Sequence, residues 1–313
     1  MLSTLPRNLK PLRDPKPFLK WAGGKTQMLE QINNFLPQQL FNGSIKKYIE
    51  PFIGGGAVFF KIAHEYKIEK LFISDINLEL ITAYKTIQYN VNDLIRFLTD
   101  IENEYLSFNE DKRKEFFYQI RTQFNLRKTL MDFQNYNSDW IEMTGQIIFL
   151  NKTCYNGLFR VNSKGEFNVP FGKYKNPTIC DSSNLKVVAE ILQNTEIYHR
   201  DYSEYENLID SNTFIYFDPP YRPLSKSSNF NAYSQQIFDD SEQMRLRDFF
   251  KSLDKKGAFL LLSNSDPKNQ DVKDDFFDTA YADYRIERVK ASRAINSNSL
   301  KRTTINELLI MNY

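Results

Sequence analysis

The sequence predicts an α/β chain: a mostly parallel sheet with helices on both faces, interrupted once by a mainly helical insertion. Three observations carry this. A strand, a glycine turn and a helix follow one another over residues 47–66, the order that alternating strand and helix folds repeat. The run Thr213-Phe214-Ile215-Tyr216-Phe217 is largely apolar and stops at Asp218-Pro219-Pro220-Tyr221, as a strand buried on both faces does. Between 91 and 150 the apolar spacing turns helical without a strand signal, and strands resume afterwards.

In chain order, residues 1–17 hold four prolines among scattered basic residues and read as an irregular lead-in. The stretch Lys20-Trp21-Ala22-Gly23-Gly24-Lys25-Thr26 then opens a helix whose Met28, Leu29, Ile32, Phe35 and Leu36 share one face. It is not a P-loop, because that pattern requires a glycine where Leu19 stands. What remains is a helix start with backbone donors, the Lys25 cation and the Trp21 ring; it suits a small carboxylate ligand or no ligand at all. The second glycine cluster has fuller context. A strand over 47–52, containing Glu50, Pro51 and Phe52, leads through Ile53-Gly54-Gly55-Gly56 into a helix over 57–66. The next strand ends at Asp75, about 20 residues past the turn, where dinucleotide-type folds place an acid on ribose hydroxyls. The plainer alternative is that Asn77 caps the helix starting at Leu78 and Asp75 is a second cap.

Within the insertion, Leu94, Leu98, Ile101 and Tyr105 form one stripe and Phe116, Phe117, Ile120 and Phe124 another; both read as core. Residues 158–162 and 166–170 read as hairpin arms about Ser163-Lys164-Gly165. Across 151–177 five basic residues face one acidic residue, with Tyr155, Phe159, Phe167, Phe171 and Tyr174 interleaved. Rings and charge on a turn-rich hairpin suit a DNA groove, and a solvated structural hairpin is the alternative. Strands follow at 196–200, ending at Asp201, at 213–217 and at 257–263, with a last pair near 284–290 and 304–312 flanking a basic loop over 293–302. Asp75, Asp201 and Asp218 thus all stand at strand ends, which outlines one crevice, with the loop over 222–238 hanging above it.

Composition bounds the function. A chain of 313 residues, 41% hydrophobic and 26% charged, can bury a sizeable core of one or two domains. No apolar run reaches the roughly 20 residues of a membrane span, and no signal peptide opens the chain, so the expected location is cytoplasmic. Cys154, Cys180, His64 and His199 stand far apart, which supports neither a disulfide scaffold nor a metal site. A net charge of only +2 rules out arguing nucleic-acid binding from bulk charge. The corner at Asp218 to Tyr221 carries an acceptor side chain, acceptor carbonyls and a stacking ring on a backbone fixed by two prolines. That set suits an aromatic amine; the plainer alternative is a strand end with Asp218 as a turn cap.

With these motifs in place, the chain resembles the Dam-type family, the D12 class and alpha group of DNA adenine N6-methyltransferases, including restriction-modification members that act on GATC. The resemblance runs from Phe18 to the carboxyl terminus. It implies a Rossmann-like S-adenosylmethionine-dependent methyltransferase domain, taken as 1–88 and 184–313. An inserted target-recognition domain, taken as 89–183, carries the hairpin near 155–172. It implies a catalytic set of Asp218, Pro219, Pro220 and Tyr221. For the cofactor S-adenosylmethionine it implies Trp21, Ala22, Gly23, Lys25, Glu50, Pro51, Phe52, Gly54, Gly56, Asp75, Asp201, Tyr202 and Asp218. Trp21 and Lys25 are expected near its methionine end, Asp75 on the ribose and Asp201 on the adenine. For double-stranded DNA it implies Lys20, Tyr155, Asn156, Leu158, Arg160, Asn168, Pro170, Lys173 and Arg293, and no metal. Lys173 stands where relatives commonly carry arginine, which loses a two-pronged donor. The protein is expected to act as a monomer, associated with the nucleoid when on DNA and without membrane attachment, and pairing with a restriction endonuclease stays open. RNA or protein-glutamine methylation, and DNA binding without catalysis, are the rival readings.

Overall fold

The computed structural model describes residues 13–222, 238–292 and 304–313. A 3-10 turn, Thr26–Met28, leads into the short helices α1 (Leu29–Asn33) and α2 (Gln38–Phe41). The first unit is β1 (Lys47–Glu50), α3 (Ala57–Glu65) and β2 (Lys70–Asp75). Three helices make the insertion: α4 (Leu78–Ser107), α5 (Glu110–Leu130) and α6 (Asp139–Thr153). After the hairpin come α7 (Ser182–Leu192), β3 (Thr195–His199), β4 (Thr213–Phe217), α8 (Asp240–Asp254), β5 (Phe259–Ser265), α9 (Phe276–Ala280), β6 (Arg285–Ser292) and β7 (Thr304–Met311).

The seven strands form one sheet in the order β3-β2-β1-β4-β5-β7-β6. β1 to β5 pair in parallel, whereas β7 inserts antiparallel between β5 and β6. Alternation along the strands sorts side chains onto two cores. Tyr48, Phe214, Tyr216 and Leu261 face one, with α3, α4, α6, α7 and the hairpin. Ile49, Ile215, Phe217, Leu260 and Leu262 face the other, with α8 and α9. β4 is buried at every residue because both its faces are covered. The strand order reverses between β1 and β4, so Glu50 and Asp218 end adjacent strands at the switch point where such sheets hold ligands.

Both helical stripes are interior: Leu94, Leu98, Ile101 and Tyr105 on α4, and Phe117, Ile120 and Phe124 on α5, while Phe116 is partly buried. α4 is capped by Asn77, whose side chain accepts from the Leu80 N–H. It runs on past residue 88, broken only at Asn90, where φ −149° and ψ 47° leave the helical region. The hairpin differs from expectation. Its arms meet through isolated bridges, Val161 with Phe167 and Cys154 with Phe171, and Tyr155–Gly157 forms a 3-10 turn. Phe159, Phe167 and Phe171 are buried, so they are core and not part of a ring-and-charge surface. The arms alternate, and the inward places belong to these rings.

Candidate active site

Two prolines hold Asp218 just past the end of β4, and its carboxylate gathers the site. Lys25 Nζ donates to Asp218 Oδ1 at 2.6 Å, to the Gly23 carbonyl at 2.9 Å and to Tyr221 OH at 3.0 Å. Ser263 Oγ, from β5, donates to the same Oδ1 at 3.1 Å and also contacts Tyr216 OH at 2.8 Å. Tyr221 OH in turn donates to Glu307 Oε1, on β7, at 2.8 Å. Lys25 also lies 4.9 Å from the Tyr221 ring centroid. The described bonds to Asp218 fall on Oδ1, and a carboxylate's second oxygen, Oδ2, has acceptor capacity of its own.

Burial works to discharge Lys25, but Asp218, Tyr221, Tyr216 and Glu307 outweigh it and hold the ammonium well above its ordinary range. Burial pushes the Asp218 carboxyl up, and Lys25 and Ser263 pull it part of the way back. Glu307 is raised for the same first reason, with Lys25 and Tyr221 opposing and Asp218 adding to the rise. Glu50 is pushed well up by burial, only partly offset by the 2.6 Å bond from Tyr48 OH. Lys25, which the resemblance places near the methionine end of a cofactor, also pairs with Asp218.

The glycine turn is tight. Gly54 and Gly56 have φ of +45° and +74°, and a Cβ on Gly54 would meet the Trp21 ring at 2.9 Å. Asp75 accepts from the Gly54 N–H at 3.1 Å and the Asn77 N–H at 2.9 Å, and burial raises its carboxyl to about 6 despite those bonds. A carboxylate offers about four acceptor sites, so room remains for hydroxyl donors. Pro51 accepts from Ser74 Oγ. Phe52, Tyr202 and Phe238 form a ring cluster, with centroids 5.3 to 6.4 Å apart. Beside them Asp201 caps the 3-10 helix Tyr202–Leu208 and pairs through both oxygens with Arg245 at 3.0 and 2.9 Å. Although burial works to raise it, Arg245 and Ser203 hold the Asp201 carboxyl down at about 2. Ring faces, hydroxyl acceptors and a second acid along one crevice fit an adenosine moiety.

The hairpin packs against the Lys20–Trp21 stretch. Asn151, 1% exposed, accepts from the Lys20 N–H at 2.8 Å and donates to the Lys20 and Gly157 carbonyls at 2.9 and 3.1 Å. Phe159 stacks on Trp21 at 5.0 Å. Gly157 suits the place because its φ is +64°, where a side chain is strained, and a Cβ would crowd the Asn151 carbonyl at 3.3 Å and displace the Lys20 side chain. On the outer side, Tyr155, Asn156, Arg160 and Pro170 are exposed and Leu158 and Asn168 half-buried. Arg160 Nε donates to Asn168 Oδ1 at 2.8 Å, leaving the two terminal nitrogens of the fork outward. Lys173, at φ +53°, pairs with Glu110 at 2.9 Å. Arg293, Lys301 and Arg302 lie outside the described residues, as does most of the 222–238 loop. Arg222 itself pairs with Asp240 and Asp274.

Sequence reasoning missed Ser263, Glu307, Asn151 and Arg245. Glu307 carries a signal, being a carboxylate beside the apolar run Leu308 to Met311 of a buried strand. Among the described residues, no group of three or more metal-binding side chains comes together and no helix is long and apolar enough to cross a membrane.

A family model described as D12 class N6 adenine-specific DNA methyltransferase matches residues 21–295. The type II methyltransferase M.MjaIII of Methanocaldococcus jannaschii is 50% identical over 299 residues, which are 95% of this chain and 99% of that protein. The type II methyltransferase M1.LlaDCHI of Lactococcus lactis subsp. cremoris is 36% identical, covering 95% of each chain. The DNA adenine methylase of Haemophilus influenzae is 33% identical, covering 99% of this chain and 98% of its own.

Proposed function

This chain belongs to the D12 class of N6 adenine-specific DNA methyltransferases, and from that premise we propose that it methylates the adenine of GATC in double-stranded DNA after flipping that base from the helix. The enzyme is an adenine-specific DNA methyltransferase, and its family uses S-adenosylmethionine. Bound there, the cofactor supplies an electrophilic sulfonium methyl. Trp21, Ala22 and Gly23 would hold its methionine part, the Glu50 to Gly56 turn its middle, Asp75 its ribose, and Asp201 and Tyr202 its adenine. Lys25, expected beside that methionine part, also belongs to the Asp218 cluster.

The adenine N6 lone pair is delocalised into the ring, which makes it a poor nucleophile. Asp218 Oδ2 and the Pro219 carbonyl accept its two hydrogens and draw the nitrogen toward tetrahedral geometry, with Lys25 and Ser263 holding the carboxylate in place. Acceptors fixed where positive charge develops supply most of the acceleration, and no covalent intermediate is needed. Pro220 fixes the corner, and the Tyr221 ring stacks the flipped base. The observation that carries this reading is the fixing of Asp218 by Lys25 and Ser263, which among the described residues bond to Oδ1.

In the recognition region, which we take as 89–183 with catalytic parts 1–88 and 184–313, Arg160 presents its terminal nitrogens to guanine O6 and N7. Leu158 meets a thymine methyl, Tyr155 fills the vacated stack, and Lys20 reaches the first guanine. Asn156, Asn168 and Pro170 shape this rim, while Lys173 and Arg293 serve phosphates. The fit to GATC rests on the family resemblance of 155–170; the outward alternation of these residues supports a base-reading role. Because two relatives carry type II names, we also propose that the enzyme protects DNA from an endonuclease of the same site. Expression in a host lacking adenine methylation tests both: its genomic DNA should resist an endonuclease that cuts only unmethylated GATC. Complete cleavage, with N6-methyladenine present in the DNA, would move the target to another sequence.

A further inference from the structure

Glu307 is held by the fold inside the cluster that carries the chemistry, yet no step above uses it. It is 7% exposed and comes from β7, which reaches the site because it is inserted next to β5. Its Oε1 accepts from Tyr221 OH at 2.8 Å. Its Oε2 is buried without a hydrogen-bond partner among the described residues, 3.7 Å from Lys25 Nζ. Buried acceptors are rarely left unbonded, and a carboxylate so placed needs a cation close by.

The bonds have a direction. Lys25 has three N–H donors, and they go to the Gly23 carbonyl, Asp218 Oδ1 and the oxygen of Tyr221. Tyr221 can receive Lys25 through a lone pair because its own proton points to Glu307. Remove the final acceptor and the Tyr221 proton has no fixed direction, so its lone pair is no longer held toward Lys25. The Lys25 ammonium would then have Asp218 as its one carboxylate neighbour in this cluster.

We propose that Glu307 is a positioning residue for methyl transfer: it orients Tyr221 and shares Lys25 with Asp218, so that the catalytic carboxylate keeps one oxygen open to the target amine. It touches neither base nor cofactor in this account. The proposal rests on the catalytic reading of Asp218. If the unaltered enzyme transfers no methyl group to adenine, that reading fails, whereas full activity after Glu307 is replaced removes only the role given to Glu307.

The test measures single-turnover transfer from labelled S-adenosylmethionine to duplex DNA, with separate titrations of cofactor and DNA binding. Glu307→Gln keeps an acceptor for Tyr221 OH and loses the charge. The transfer rate should fall by about tenfold to a hundredfold, the range expected of a misplaced reacting group, while both affinities stay within about threefold. Glu307→Asp restores the charge and should recover part of the rate; it also serves if the Gln chain does not fold. In a Lys25→Gln background, Glu307→Gln should cost less than about twofold more, because its effect runs through Lys25. An unchanged rate, a loss confined to binding, or losses that multiply in the double variant would each overturn the proposal.

Discussion

Asn151→Ala breaks the link between the stretch before the first glycine pair and the recognition hairpin. Asn151 satisfies one backbone N–H and two carbonyls, at Lys20 and Gly157. Each group left unpaired in a buried place costs about 1–3 kcal/mol. Water can reach the Lys20 backbone, whose side chain is exposed, so the full penalty applies chiefly at Gly157 and the sum is about 3 kcal/mol. For a chain of this size that lowers Tm by roughly 5 °C. Asn151→Asp keeps the acceptor for Lys20 N–H but aims a charge at two carbonyls, and should cost at least as much as alanine. Function should fall with stability, because Gly157 sits on Lys20 and Phe159 on Trp21. Thermal melts give the first readout, and cofactor and DNA titrations at a temperature where both chains are folded give the second. Melting temperatures within about 1 °C of the unaltered protein for both variants would refute the reasoning.

Cofactor affinity should be flat above pH 6 and weaken by up to tenfold per unit below it, because burial raises Asp75 to about 6 and its protonated form loses an acceptor. The sign for folding is opposite to that of a salt-bridged Asp: ionising Asp75 opposes folding, a cost that disappears as pH falls from about 6 toward its ordinary value. Calorimetry across pH 5–8 checks the binding limb, and an Asp75→Asn chain with the same limb would reassign it. Asp218→Ala should lower transfer by roughly a hundredfold to a thousandfold or more and leave duplex affinity within about threefold; filter binding that collapses with the rate would point to a structural role. Tyr221→Ala should lose more transfer than Tyr221→Phe, and the reverse ranking would remove the stacking role. Arg160→Ala should relax discrimination at the outer base pair by about one to two orders of magnitude, the equivalent of 1–3 kcal/mol, read from competing duplexes.

The strand ends were legible because local chemistry marks them. Pro219 and Pro220 stop an apolar run at Asp218, and the spacing from Gly54–Gly56 to Asp75 follows from a strand, turn and helix of ordinary length. The stripes on α4 and α5 were legible by period alone. The hairpin was legible as two arms, but its rings were read as surface because charge lies between them; alternation puts Phe159, Phe167 and Phe171 inside and Arg160 and Asn168 out. What brings Ser263 and Glu307 to Asp218 is sheet order: β5 lies beside β4, and β7 enters antiparallel next to it. No local spacing encodes that. The same holds for Lys25, 193 residues from Asp218, and for Arg245, 44 residues from Asp201.

Transfer to the adenine of GATC by the Asp218 corner can be measured on defined duplexes. Its most direct test follows single-turnover methylation of a duplex containing one GATC beside duplexes altered at each position in turn, with digestion to identify the nucleoside formed. N6-methyladenine should form on GATC, and each single change should reduce the rate by about fivefold or more, in line with about 1–3 kcal/mol per mismatched base pair. Equal rates on GATC and its variants would contradict it.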